Sequence, residues 1–368
     1  MKLQFNRVAL AEALGIITAV VPSRTPKPIL RCVRLTASER DVHMFATDLE
    51  VGLNFLISEV QVERPGDAVL DADRLAAIVR ESSDDILSLE LSEETCYITG
   101  KDSRFTIYSQ DPQQYPNRVE FVGDPDIEMD LGDLQTATKQ VLFATAKESS
   151  RYAINGVLWE IKGKKLSLIA TDGRRLARSR VNLSGTPNPE IAKQRMIVPA
   201  KTMGLLERIG LDDGEVVAVK LTGNTFIMRS MRVVISSNLV EGSFPKYEDI
   251  IPTDYKNKLQ LNTAATLSAI RRAALLTNED SKGVKLALSK ESLVFTCRAP
   301  EMGDAEIAMG IEYKGEPIEI GFNPQFLVDA LKIIREDSFE LQLGQADRPG
   351  LIKSGANYMY IVMPVSLS

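Results

Sequence analysis

Apolar and polar positions change period twice within the first 57 residues. Alternation over 3–5 predicts a short strand. Leu10, Leu14, Ile17 and Val21 then recur at helical spacing and predict a helix over 8–20, after which alternation returns as three strands at 30–36, 42–46 and 52–57. The next stretch runs through the same order, with a strand at 68–70, a helix at 72–80 and strands at 86–91, 96–99 and 105–108. The unit is strand, helix and three strands, about 60 residues long.

That unit recurs along the chain. Segments opening at Leu3 (LQFNRVALAEALGIIT), Ile127 (IEMDLGDLQTATKQVLFAT) and Leu259 (LQLNTAATLSAIRRAALLT) each lead a strand into an alanine-rich helix, at offsets of 124 and 132 residues. A second anchor, VLDADRLAAIV near Ala72, returns as IVPAKTMGLLERI near Ala200 and IGFNPQFLVDALKII near Pro324, at offsets of 128 and 124. Two anchors in step imply three repeats of two units each. Such repetition marks an extended array or a closed ring, because each unit buries one face against its neighbour. The expected fold class is α+β, with three repeated domains. Turn-rich stretches at 124–126 and 252–254 set the expected borders, giving domains 1–125, 126–252 and 253–368.

Composition is that of a globular protein, with 44% hydrophobic and 26% charged residues in a chain of 368. That length suits about three cores. Lys2 and Arg7 before the apolar run 8–21 imitate a signal peptide, but Glu12 interrupts the run and a core helix is the expected reading. No stretch approaches the ~20 apolar residues of a membrane span. Cys32, Cys96 and Cys297 are odd in number and widely spaced, which offers neither a disulfide framework nor a zinc spacing. A soluble protein of a reducing cytoplasm is expected.

Catalytic signatures are sparse. His43, the only histidine, lies in an alternating run and has no second histidine to make a metal pair or relay. No glycine-rich nucleotide loop and no nucleophile elbow follows a strand. The acidic pairs Asp84 with Asp85, Asp124 with Asp126, and Asp212 with Asp213 fall in predicted turns, where carboxylates serve the backbone. No catalytic residue, metal or cofactor is expected. The net charge of −6 argues against a whole surface built for phosphates. Lys and Arg nevertheless gather on the repeated helices and nearby turns, while acids concentrate in loops. If the repeats close into a ring with the helices inside, the lumen is mildly positive.

The threefold repeat, the run Ala170-Thr171-Asp172-Gly173-Arg174-Arg175-Leu176-Ala177, the segment Gly242-Ser243-Phe244-Pro245-Lys246-Tyr247 and the terminal Tyr360-Ile361-Val362-Met363-Pro364 resemble the bacterial sliding clamps, the beta subunits of DNA polymerase III holoenzyme. The resemblance covers essentially the whole chain. It implies a head-to-tail homodimer closing into a ring of six domains, with twelve helices lining a channel for duplex DNA. Such a ring tethers the replicative polymerase for processivity and is not an enzyme. Scattered cations at a distance attract DNA without fixing its register.

The resemblance also implies site residues. Peptide segments of polymerases, the clamp loader and repair proteins would enter an apolar cleft of Ile154, Thr171, Gly173, Arg174, Arg175, Leu176, Pro245, Ile250, Asn323, Phe326, Val362, Met363 and Pro364. Arg24, Arg151 and Lys201 would lie near DNA. Arg74, Phe105 and Ile107 of the first domain would meet Leu275 and Leu276 of the third across the dimer, with Glu301, Asp304 and Glu306 nearby. Asp73 and Glu148 stand where relatives carry a basic and an amide residue near DNA, and the cleft rim departs too: Arg174 replaces a common histidine, Ser366 a usual basic residue, and Glu248 and Asp249 occupy an often basic place. A more negative rim is expected. Competing readings are an enzyme with acidic metal ligands in an interdomain cleft, and a repeat scaffold that binds proteins only.

Overall fold

The computed structural model describes residues 1–148, 152–210, 214–252, 255, 257–277, 283–299 and 302–366. Its elements repeat one order six times. The first third runs β1 (Lys2–Asn6), α1 (Arg7–Ile17), β2 (Cys32–Ala37), β3 (Val42–Thr47) and β4 (Val51–Ile57). After one additional strand, β5 (Val60–Arg64), come β6 (Gly66–Asp71), α2 (Ala72–Glu81), β7 (Ile86–Ser92), β8 (Thr95–Thr99) and β9 (Arg104–Tyr108). The middle third has β10 (Ile127–Asp130), α3 (Leu131–Val141), β11 (Gly156–Lys162), β12 (Lys165–Thr171) and β13 (Arg175–Asn182), then β14 (Arg195–Pro199), α4 (Ala200–Leu206), β15 (Val216–Thr222), β16 (Thr225–Arg229) and β17 (Val233–Asn238). The last third has β18 (Asn257–Asn262), α5 (Thr263–Ala273), β19 (Val284–Ser289), β20 (Ser292–Ala299) and β21 (Gly303–Gly310), then β22 (Ile318–Phe322), α6 (Pro324–Leu331), β23 (Ser338–Leu343), β24 (Gly350–Ser354) and β25 (Tyr358–Val362).

The strand-to-helix step has a local cause. Strands β1, β6, β18 and β22 end on, or run directly into, an Asn or Asp whose side chain accepts from the first helical amides: Asn6 from Val8 at 2.9 Å, Asp71 from Arg74 at 2.9 Å, Asn262 from Ala265 at 2.9 Å and Asn323 from Gln325 at 2.9 Å. Helix α1 is shorter than its apolar pattern predicts. It ends at Ile17, and Val20 is buried beyond it in a turn closed by its amide on the Ile17 carbonyl at 3.0 Å. Leu30, expected in a strand, sits in the 3-10 turn Pro28–Arg31, and β5 answers to no expected element.

The chain divides into two compact units. In the unit of Met1–Gly132, Leu183–Ile191 and Lys201–Leu239, one sheet has the order β5-β1-β7-β8-β9 and the other β10-β15-β16-β17-β4-β3-β2-β6. Antiparallel pairing of β17 with β4, Ile235 opposite Leu53, carries the larger sheet from the middle third into the first. Leu10, Leu14 and Ile17 of α1 and Leu75 and Val79 of α2 are buried, and α1 packs on α2 and β4. The other unit, Asp133–Asn182, Ala192–Ala200 and Val240–Ser368, repeats this plan with β14-β11-β12-β13-β25-β24-β23-β18 and β21-β20-β19-β22. Here β13 pairs with β25 and α5 packs on α6. The opening strand of each five-element unit pairs with the strand triplet of the other unit in its third, as β1 does with β7 and β6 with β2.

Candidate functional site

The β13–β25 junction gathers most of the expected cleft residues. Between β12 and β13 the chain reverses in a turn held by two side chains. Thr171 Oγ1 donates to the Arg175 carbonyl at 2.7 Å and accepts from the Gly173 amide at 3.1 Å. The Asp172 carboxylate accepts from the amides of Arg174 at 3.0 Å and Arg175 at 3.1 Å. Gly173 has φ +85 with open space where a Cβ would point, so backbone conformation and not crowding selects glycine. Arg175 then lies opposite Val362 and Leu176 opposite Ile361. Beyond the strand, the Met363 amide donates to the Arg174 carbonyl at 2.9 Å and the Val365 amide to Gly321 of β22 at 2.9 Å. The tail is thereby pinned on both sides of Pro364.

Only part of the expected apolar floor reaches the surface. Leu176 and Val362 are wholly buried, while Met363 is 38% exposed. Leu176 belongs to a core cluster with Ile154, Phe244, Tyr247, Met359 and Ile361. Pro245 stands between the buried Phe244 and Tyr247, whose hydroxyl donates to Glu160 at 2.8 Å. Ile250 closes the following 3-10 turn and is exposed. Ile250 and Met363 help line a cavity of about 910 Å³ with Tyr255, Pro317 and Arg348. Met363 and Pro364 also line a second, of about 730 Å³, with Lys285 and Asp347. Sequence patterns missed Tyr255, Pro317 and Ala346, the last lining both cavities, since nothing local ties them to Met363.

Arg175 is committed inward. Its Nε donates to Asp172 at 3.0 Å, Nη1 to Asp329 of α6 at 2.8 Å and Nη2 to the Phe143 carbonyl at 2.8 Å. The guanidinium lies 4.4 Å from the Phe326 ring centroid, and its side chain is 11% exposed. Burial alone would raise the Asp329 carboxyl, yet hydrogen bonds from Arg175, Lys332 and Gln325 hold it below the usual carboxylate range. Asn323 caps α6 and is half-buried. Arg174, in contrast, is exposed at the rim. Glu248, expected to make the rim more negative, lies 3.7 Å from Arg195, which also stands 3.4 Å from Glu160. Asp249 and Ser366 are exposed.

The expected assembly residues fall at two sheet edges. Among the described residues β9 and β21 each pair on one side only. On β9 Ile107 turns into the core, whereas Phe105 is 40% exposed and Tyr108 lies open. Arg74 is exposed in the first turn of α2. Leu275 and Leu276 lie in a 3-10 turn after α5 and not in the helix itself; Leu275 is 75% exposed, and Leu276 is partly buried near Gly303 of β21. Met302, which carried no sequence signal, is exposed immediately before β21. Asp304 and Glu306 are exposed on β21, and Glu301 lies outside the described residues.

The expected DNA contacts are less uniform. Arg24 is exposed after α1, Arg151 lies outside the described residues, and Lys201 in the first turn of α4 is ion-paired with Asp48. Among the acidic pairs, Asp84 accepts from the Lys101 amide at 3.1 Å, and Asp126 from Asn188 at 2.7 Å and the Leu221 amide at 2.8 Å. Asp212 and Asp213 lie outside the described residues. His43 faces Asn54 at 3.1 Å, and burial, with the nearby Arg118, lowers its pKa. Burial pushes the thiols of Cys32 up to about 11 and Cys96 to about 12. No helix among the described residues is long and apolar enough to cross a membrane.

Comparison with known proteins places each third separately. Residues 1–119 match the N-terminal domain of the DNA polymerase III beta subunit, 128–246 its central domain and 248–366 its C-terminal domain. The chain is 30% identical over 375 residues to a beta sliding clamp of Vibrio cholerae, covering all of both chains. It superimposes on the Bacillus subtilis DNA polymerase sliding clamp with a TM-score of 0.92 at 27% identity over the full length of both. A Pseudomonas aeruginosa DnaN sliding clamp bound to griselimycin gives a TM-score of 0.92 at 28% identity, again over the full length of both.

Proposed function

The chain belongs to the DNA polymerase III beta subunit family, and from that premise we propose that it encircles duplex DNA as a sliding clamp, tethers the replicative polymerase and recruits partners through a peptide cleft. The observation that carries this reading is the sixfold strand-helix-strand repeat, in which β9 and β21 are edge strands of their sheets and carry Phe105 and Asp304 of the expected dimer contact. An open edge is a template for another strand. Pairing β9 of one copy with β21 of a second, in both directions, closes two chains into a ring of six domains with borders near 125 and 252. Twelve helices then face the DNA. The clamp works by topology, without catalysis or a cofactor, in the cytoplasm.

Weak, scattered contacts suit this role. Arg24 and Arg151 supply long-range attraction, and Lys201, already paired with Asp48, supplies less. The cleft around Met363 takes short segments of the polymerase, clamp loader and repair proteins. With Ser366 uncharged and Asp249 exposed at its rim, it favours a basic residue beside their apolar anchors.

Assembly provides the test. Leu275→Lys places an unpaired charge at the proposed interface, a change costing about 3–5 kcal/mol when such a charge is buried. Light scattering during size exclusion should report a dimer for the parent and a monomer for the variant at micromolar concentration. A variant that stays dimeric would refute the interface, and a monomeric parent would refute the ring.

A further inference from the structure

Arg175 stands among the residues expected to touch a bound peptide, but its surroundings give it another task. All three of its nitrogens are engaged within the protein, on Asp172, on Asp329 and on the Phe143 carbonyl, and its planar face rests on Phe326. These partners come from separate elements: the β12–β13 turn, α6, and the 3-10 turn Leu142–Ala144 after α3. The turn carries Arg174, whose carbonyl receives the Met363 amide, and α6 carries Asn323 and Phe326. A group so enclosed, its side chain 11% exposed, has little left to offer a ligand, yet it joins α6 to the turn on which the exposed Met363 is anchored.

We propose that Arg175 is a positioning residue that clasps the β12–β13 turn to α6 and so sets the width of the cleft, with Asp329 as its counterpart. This rests on the reading of the Met363 region as the peptide cleft. A corresponding turn in the first third, Thr47-Asp48-Leu49-Glu50-Val51, keeps the same side-chain hydrogen bonds with valine in place of arginine. The turn therefore does not need the arginine for its own shape. What the arginine adds is the tie to α6.

Griselimycin serves as probe, with binding measured by calorimetry on the full-length protein carrying Arg175→Lys, Asp329→Asn, both changes, or Met363→Ala. Arg175→Lys keeps the charge and loses the fork, and Asp329→Asn keeps the shape and loses the charge; each is expected to weaken binding about tenfold. The double variant should be little worse than either single one. The salt dependence of Kd should match that of the parent, because the guanidinium never meets the ligand. Asp329→Glu, which retains the carboxylate, should recover part of the loss, and it replaces Asp329→Asn should that variant not fold. Additive losses, or weakening by Arg175→Lys with Asp329→Asn unchanged, would mean direct contact and overturn the proposal. Met363→Ala separates the two levels of inference: unchanged griselimycin binding there removes the cleft itself, whereas weakened binding there with an additive arginine pair removes only the clasp.

Discussion

Two turns built alike have different uses. In the first third Thr47 Oγ1 donates to the Val51 carbonyl at 2.8 Å, and Asp48 accepts from the amides of Glu50 at 3.0 Å and Val51 at 2.7 Å. The β12–β13 turn repeats this with Thr171, Asp172, Arg174 and Arg175. Leu49 at φ +81 occupies the place of Gly173 at φ +85. The spare carboxylate oxygen differs most: that of Asp48 binds Lys201, and that of Asp172 binds Arg175. A Thr-Asp pair thus fixes the turn, and the residue at its far end decides whether the turn is tied to a helix, as Arg175 ties it to Asp329 of α6. Different covers follow. Tyr115 packs on Cys32, Phe45 and Val69 over the first sheet, with its hydroxyl on the Cys32 carbonyl at 2.7 Å. Over the second, the loop through Phe244 and Tyr247 leaves Met363 exposed.

The sharpest way to break this likeness is to remove the aspartates. Asp172→Ala strips two turn bonds and one partner of a buried arginine, and should cost about 3 kcal/mol. Asp48→Ala strips two turn bonds and a half-exposed ion pair, and should cost about 1 kcal/mol. Thermal melts of both variants check the ordering, and equal losses would show that the Arg175 clasp adds nothing.

A smaller effect separates the positive-φ residues. Gly173→Ala meets no neighbour, so only its left-handed backbone is penalised, by about 1 kcal/mol. Leu49→Gly relieves the same strain while loosening the unfolded chain, and should stay within about 0.5 kcal/mol of the parent. Should Gly173→Ala melt with the parent, the turn tolerates alanine and the glycine has another reason.

Much of this was legible in the sequence, for a physical reason. In the first third both helices and eight of the nine strands fall where apolar periodicity places them, and the two repeated anchors carry that order into the other thirds. The exception, β5, is the short, largely polar edge of its sheet, with little burial to imprint a pattern. Cleft membership came from motif resemblance, and the roles within it did not. Leu176 and Val362 read as surface floor but are covered, because strand pairing across the β13–β25 junction decides their depth. The pairing of Arg175 with Asp329 spans 154 residues, and that of Lys201 with Asp48 spans 153. Side-chain partners at such separation leave no periodic trace.

Retention on DNA bears most directly on the central claim. The protein is loaded by a clamp loader onto nicked circular duplex, isolated by gel filtration, and the circle is then cut once with a restriction enzyme. A ring held by topology should stay with the closed circle through high salt and leave within minutes of linearisation. Release from the uncut circle at the same rate, or equal retention on linear DNA, would contradict encirclement.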